Sequence, residues 1–214
     1  MANYDDIIKN IDQPSFNAFY EQAKLELREV ASEKQNKLFR QLERGIAQLS
    51  THEQLCKYLQ SYGKMHQAKL LDAFKEIPQE WFSSPFEVVD WGCGQAMGTI
   101  NLLDHLKNAG YQESLKRVVL IEPSAEAIER GEIYVQSYRV EATFEVQAHA
   151  CLFNEIVPEQ IQASKRRRRI HIFSNILDVA AIDLRHLARL LGESQQSDDL
   201  LICVGPFYAN NRRM

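Results

Sequence analysis

The run VVDWGCGQAMG, residues 88–98, constrains this chain more than any other stretch. A short apolar segment leads into Asp90, glycines follow at positions 92 and 94, and an amphipathic stretch begins directly after. That order predicts a strand, a glycine-spaced turn and a helix start. Glycine in such a turn lets a ligand approach the backbone without meeting a Cβ. The free N–H groups at the start of the helix favour polar or anionic groups. A chain with this element near its middle is built around a small-molecule site.

The rest of the chain divides near residues 78–85. Before that point apolar residues recur at helical spacing: Phe16, Phe19, Ala23, Leu27, Val30, Leu38, Leu42, Ile46 and Leu49. No proline interrupts them, and the spacing predicts one long helix over 15–49. Ser50 and Glu53 form a Ser-x-x-Glu capping box that opens a second helix. It carries Leu55, Tyr58, Leu59 and Tyr62, bends at Gly63 and stops at Pro78. Residues 1–80 are therefore expected to form an all-α unit. After Pro85 the pattern alternates. Strands are expected at 85–91, 117–122, 142–148, 169–174 and 199–205. Helices are expected at 99–109, 124–137 and 182–191, with a short helix or turn over 154–163. The fold class is α/β: a doubly wound, mostly parallel sheet of about five strands over 85–214, with ligands at the carboxyl ends of the strands.

Composition narrows the classes further. With 214 residues, 45% hydrophobic residues and a net charge of −4, the chain reads as a globular protein with no overall bias toward nucleic acid. No apolar run reaches the roughly 20 residues of a membrane helix, and the acidic start MANYDDIIKN is no signal peptide. Cys56, Cys93, Cys151 and Cys203 form no CxxC pair and read as reduced thiols, with no metal site. The expected compartment is the cytoplasm.

Two more strand ends join the glycine turn. Glu122 closes the second strand, where a carboxylate can accept hydrogen bonds from both hydroxyls of a ribose. Ser174 and Asn175 close the fourth and face the same crevice.

At these residues, over 86–206, the sequence resembles the class I S-adenosylmethionine-dependent methyltransferases. VVDWGCGQAMG looks like that family's first motif, with Ala96 where a third glycine often stands, and LIEPS looks like its ribose motif. HIFSNILDV, residues 171–179, looks like the motif after its fourth strand. The resemblance implies a Rossmann-like core and S-adenosylmethionine as cofactor. It places Asp90, Gly92, Cys93, Gly94, Glu122, Pro123, His149, Ala150, Ser174 and Asn175 around that cofactor. Glu122 would hold the ribose, Gly92 and Gly94 would pass beneath the methionine portion, and Asp90 would order the loop or meet the amino group.

Departures from the family qualify the chemistry. The acid that many members place after the third strand is absent from the run Gln147, Ala148, His149, Ala150, so His149 or the backbone takes its place. Ser-Asn-Ile-Leu is not the Asn/Asp-Pro-Pro-aromatic motif of enzymes that methylate DNA adenine, and no cysteine stands where a cytosine methyltransferase has its nucleophile. Candidates for a general base are His149, Asp178 and His66. The acceptor expected is RNA or a small molecule. The alternatives are a binding or scaffolding module on the same fold without catalysis, and a nicotinamide-dependent oxidoreductase, whose GxGxxG spacing is displaced here at Gly98. The sequence ends just after the fifth strand, where the family adds a hairpin, and the expectation is a piece of a longer protein.

Surface features carry the remaining expectations. The basic run Lys165, Arg166, Arg167, Arg168 and Arg169 is either a solvated loop or a contact for RNA phosphates. Tyr62, His66 and Lys69 share a helical face that packs on the sheet or covers the site, and Phe207 and Tyr208 would wall the pocket or cap the core. The stripe over 15–49 offers a homodimer seam. His171, inside a strand, reads as structural.

Overall fold

The computed structural model describes residues 3–45, 47–140, 143–163, 167–180, 182–195 and 198–206. Lys165, Arg166, Phe207 and Tyr208 lie outside the described residues. Among the described residues five strands, β1 (Phe86–Trp91), β2 (Leu115–Ile121), β3 (Glu145–His149), β4 (Arg168–Ser174) and β5 (Asp199–Val204), pair in the order β3-β2-β1-β4-β5. Every pairing is parallel. Central β1 is buried at every position, which is why its sequence runs apolar without alternation. The chain winds outward from β1 to β3, then returns to β4 on the other side of β1. That reversal opens a crevice at the carboxyl ends of β1 and β4.

Among the described residues eight α-helices accompany the sheet: α1 (Tyr4–Lys9), α2 (Phe16–Glu26), α3 (Ser32–Gln41), α4 (His52–Lys75), α5 (Met97–Ala109), α6 (Ala125–Ser137), α7 (Pro158–Ile161) and α8 (Leu184–Ser194). Successive strand residues point to opposite faces, so Val88, Val118, Leu120, Ile170 and Ile172 join a core with residues of α2, α4, α5 and α6. Val89, Trp91, Val119, Ile121 and Phe173 pack instead on Ile156, Ile161, Leu187 and Leu190. The first core runs without interruption across residue 80, from Phe16 and Phe74 to Val88.

The expected single helix over 15–49 is two helices. After α2 the chain turns, Ala31 is extended (φ −53°, ψ 141°), and the Gln35 side-chain amide donates to the carbonyls of Leu27 and Val30 at 3.0 Å each. A straight helix over that span would be about 50 Å long and would carry its far half past the sheet. Folding back lets Leu38 and Leu42 bury. Phe16, Phe19, Ala23, Leu27, Leu38, Leu42 and Leu49 of the apolar stripe are buried in the chain's own core. The second helix starts one residue later than expected. Thr51 is the cap, its Oγ1 accepting from Gln54 N at 3.3 Å, while Glu53 pairs with Lys34 at 3.2 Å. α4 continues through Gly63, where a Cβ would sit 3.1 Å from Phe16 Cζ. That glycine is the point where α2 meets α4.

The amino ends of the strands are knit by ion pairs. Buried Glu87 holds Arg117 at 2.8 Å and Arg167 at 3.4 Å. Arg169, with no exposed surface, holds Asp199 through two of its nitrogens. Arg168 donates to Glu80 O at 3.1 Å and lies over the Trp81 ring. Arg169 of the basic run is therefore interior, part of the end of the sheet opposite the crevice. No helix among the described residues is long and apolar enough to cross a membrane.

Candidate ligand-binding cleft

The glycine turn leaves β1 in left-handed backbone, with φ +58° at Gly92 and +53° at Gly94. The two glycines face different surroundings. A Cβ on Gly92 would lie 2.7 Å from Ile176 Cγ1, whereas one on Gly94 would meet nothing within 4 Å. Gly92 is closed over by the loop after β4, and Gly94 presents open backbone. Ala96, the N-cap of α5, is also left-handed and supplies no capping side chain. Asp90 caps from the strand instead: its Oδ2 accepts from Thr99 N at 2.9 Å and from Thr99 Oγ1 at 2.8 Å. A Cβ on Gly98 would lie 2.8 Å from Ile172 Cγ2 and 2.9 Å from Asp90 Oδ2, so this glycine brings helix and strand together one position later than in GxGxxG.

Asp90 orders the loop from inside the core and does not line the cavity. Burial pushes its carboxyl up to about 7, against the Thr99 hydrogen bonds and with a further push from the Glu122 charge. A folded value above the ordinary 3.8 means that the folded state holds a proton which the unfolded chain releases. Stability contributed by this group therefore falls as pH rises from about 4 to about 7, by about 1 kcal/mol per pH unit. Asp90→Asn keeps a Thr99 acceptor, and the difference between its urea midpoint and that of the parent should change across this window and stay level above it.

Glu122 follows β2. Its Oε2 accepts from Gly94 N at 3.0 Å and its Oε1 from Ser124 N at 2.9 Å, so the carboxylate bridges the two turns. Burial raises this carboxyl above the usual range, and those two hydrogen bonds work against the rise.

A cavity of about 600 Å³ lies over the carboxyl ends of β1, β2 and β4. Of the expected residues it is lined by Gly92, Gly94, Glu122, Pro123, Ser174 and Asn175. The loop before α4 closes one side with Gly45, Gln48 and Leu49, joined by Tyr58 of α4. That loop is tied down where Gln48 Nε2 donates to Pro123 O at 3.0 Å and Ser124 Oγ donates to Leu49 O. The far wall is Leu152, Phe153 and Asn154 after β3, with Ile176, Val179, Ile182 and Asp183 between β4 and α8 and His186 on α8.

The remaining expected residues stand elsewhere. Cys93 packs into the core, where burial raises its thiol. His149 turns its Nδ1 to Gln160 Nε2 at 3.2 Å, and neither it nor exposed Ala150 lines the cavity. Asp178 is exposed outside the cavity. His66 is buried between α4 and its neighbours, stacked on Tyr62, and is pushed down to about 4 by burial and by Lys69. Lys69 reaches the site's rim, donating to Gly205 O at 3.0 Å and to Asn175 Oδ1 at 3.5 Å. His171 is structural, with Trp91 Nε1 donating to its Nδ1 at 3.0 Å. Among the described residues no group of His, Cys, Asp and Glu is placed to hold a metal ion.

No family model and no curated protein matches the chain. Among solved structures it is similar to a SAM-dependent methyltransferase from Leishmania major, at 12% identity over 75% of this chain and 56% of that one, TM-score 0.42. It is also similar to an S-adenosylmethionine-dependent methyltransferase from Clostridium acetobutylicum, at 12% identity over 63% and 53%, TM-score 0.33. A third is the plantazolicin methyltransferase BpumL in complex with SAH, at 11% identity over 87% and 58%, TM-score 0.38. The chain spans little more than half the length of each. Superpositions this loose carry no weight for function, which rests on the cleft itself.

Proposed function

We propose that this chain binds S-adenosylmethionine across the carboxyl ends of β1, β2 and β4 and is a methyltransferase domain. The observation that carries the reading is Glu122. A carboxylate offers about four lone-pair sites. Backbone N–H groups of Gly94 and Ser124 occupy two, and the rest remain for the two hydroxyls of a ribose. Gly94 leaves its backbone bare beside that carboxylate, as an amino-acid tail passing over the turn requires. When bound, the sulfonium supplies an electrophilic methyl group and its own leaving group. The chain's residues bind, orient and exclude water, which is where most of the acceleration of such a transfer arises.

One observation favours a second reading, a binding module without turnover. None of His149, Asp178 and His66 lines the cavity, so no base from that set reaches an acceptor there. Thermal unfolding tests the binding that both readings share. A ligand at a hundredfold excess over its Kd should raise Tm by about 5–10 °C. S-adenosylmethionine and S-adenosylhomocysteine should both do so, and reduced nicotinamide dinucleotide should not. No shift with either sulfur ligand, or an equal shift with the dinucleotide, contradicts the proposal. Methyl incorporation from labelled S-adenosylmethionine then separates the enzyme from the binding module.

A further inference from the structure

We propose that Lys69 of α4 is a positioning residue that turns the N–H groups of the Asn175 carboxamide toward the cleft, and that the group methylated there is a carboxylate. This rests on the reading that the cleft holds S-adenosylmethionine.

Lys69 comes from the helical half of the chain and reaches the ends of β4 and β5. Its Nζ donates to Gly205 O at 3.0 Å and to Asn175 Oδ1 at 3.5 Å. An ammonium group only donates, so it fixes which end of the carboxamide is oxygen. The nitrogen faces the other way, and Asn175 Nδ2 donates to Ser174 Oγ at 3.2 Å. The backbone is fixed as well: Asn175 N donates to Val204 O at 2.7 Å, and the residue is left-handed at φ +56°. Asparagine adopts that conformation more readily than most residues. Ser174 Oγ takes one hydrogen from Nδ2 and keeps its own to donate. Both side chains line the cavity. The end of β4 therefore presents a hydroxyl and an amide as donors, with the Lys69 charge behind them.

The rest of the lining says what such donors receive. Its titratable side chains are Tyr58, Glu122, Asp183 and His186. Burial keeps the Tyr58 hydroxyl protonated. Glu122 is engaged by Gly94 N and Ser124 N, and Asp183 caps α8. His186 Nδ1 faces Arg189 Nη2 at 3.1 Å, and its Nε2 is shut off from solvent. An amine, thiol or hydroxyl acceptor has to give up a proton, whereas a carboxylate is already ionised at neutral pH. A neutral ring nitrogen needs no base either, but its single lone pair cannot serve both the donors and the methyl group. A carboxylate gives one oxygen to the donors and the other to the transfer. That oxygen attacks the methyl carbon, the S–CH3 bond breaks with its electron pair going to sulfur, and a methyl ester and a thioether result with no proton moved. An anion and a sulfonium become two uncharged groups, a change that a cleft emptied of water favours.

Transfer of tritium-labelled methyl from S-adenosylmethionine into a heat-treated cell extract tests the acceptor. Brief mild alkali should release most of the label as volatile methanol, as from a methyl ester. Blocking the carboxyl groups of the extract with carbodiimide and ethanolamine should abolish labelling. Lys69→Met should raise the apparent KM for the extract about 10-fold, with Tm within a few degrees and S-adenosylhomocysteine affinity within about twofold of the parent. Lys69→Arg, which still donates, should recover most of that loss. Asn175→Asp keeps the left-handed turn and the Lys69 contact, but it replaces the amide donor by an acceptor of like charge and should cost about 100-fold in transfer. Alkali-stable label, or a Lys69→Met protein that transfers as the parent does, overturns the inference. Absence of labelling overturns it too, and S-adenosylhomocysteine binding that still depends on Glu122 then leaves the binding module standing. No binding of S-adenosylhomocysteine overturns both.

Discussion

Arg169→Met should cost about 3–5 kcal/mol of folding stability, the range for breaking one side of a buried ion pair. Arg169 has no exposed surface. Its Nε donates to Asp199 Oδ1 at 2.9 Å and its Nη2 to Oδ2 at 2.5 Å. Its Nη1 donates to Ile161 O at 2.7 Å and Ser194 Oγ at 3.1 Å. Methionine fills the aliphatic volume and leaves a nearly buried carboxylate without its cation. The loss should appear as a lower urea midpoint at unchanged slope. Arg169→Met with Asp199→Leu should recover most of it, because the stranded charge is removed along with its partner. Ligand affinity of the folded fraction should not change, since this cluster lies at the amino ends of the strands. A loss under about 1 kcal/mol would mean that water reaches Asp199 and that the pair is no more than a surface contact.

Gly92→Ala and Gly94→Ala should part company, although both glycines sit at similar positive φ. A left-handed non-glycine residue costs about 1–2 kcal/mol at either position. At Gly92 the new methyl also runs into Ile176, 2.7 Å and 2.8 Å from two of its carbons, which adds about 1–3 kcal/mol of overpacking. Gly92→Ala should therefore melt well below Gly94→Ala, and Ile176→Ala in the Gly92→Ala background should return the steric part alone. Binding should show the opposite order per unit of stability lost. The Gly94 methyl projects into open space at the cleft, so this variant should keep most of its fold and lose most of its affinity. Equal melting of the two variants would place Ile176 away from the turn.

The glycine turn, the five strands and Glu122 were legible because they rest on local signals. An unbroken apolar run in a parallel sheet, glycines that the backbone requires and an acid at a strand end all stand in the sequence itself. The break after α2 was not legible, because no proline or glycine makes it. The Gln35 amide and the burial of Leu38 and Leu42 do, and these are tertiary. In the basic run, Arg169 reads as a surface charge by composition alone. Register places that one residue inside: Arg169 pairs with Asp199 across β4 and β5, an acid at the start of the next strand. Half of the cleft was missed for a related reason. Leu152 and Phe153 come from a connection whose path depends on packing, and Ile182 and His186 stand at the start of an expected helix whose placement over the cleft is tertiary. Asp183 carried one usable signal, an N-cap aspartate directly before the amphipathic run LRHLARLL.

Titration calorimetry of S-adenosylhomocysteine into the parent protein and into Glu122→Gln tests the central claim most directly. Glutamine keeps the length and an acceptor for one turn while replacing two lone-pair sites by N–H donors that face the Gly94 or Ser124 donor and the ribose. The account predicts one site per chain in the parent and a loss of affinity of about 10- to 100-fold in the variant, as for hydroxyl donors that lose their charged acceptor. Saturable binding with equal affinity in both proteins, or no binding in the parent, would contradict it.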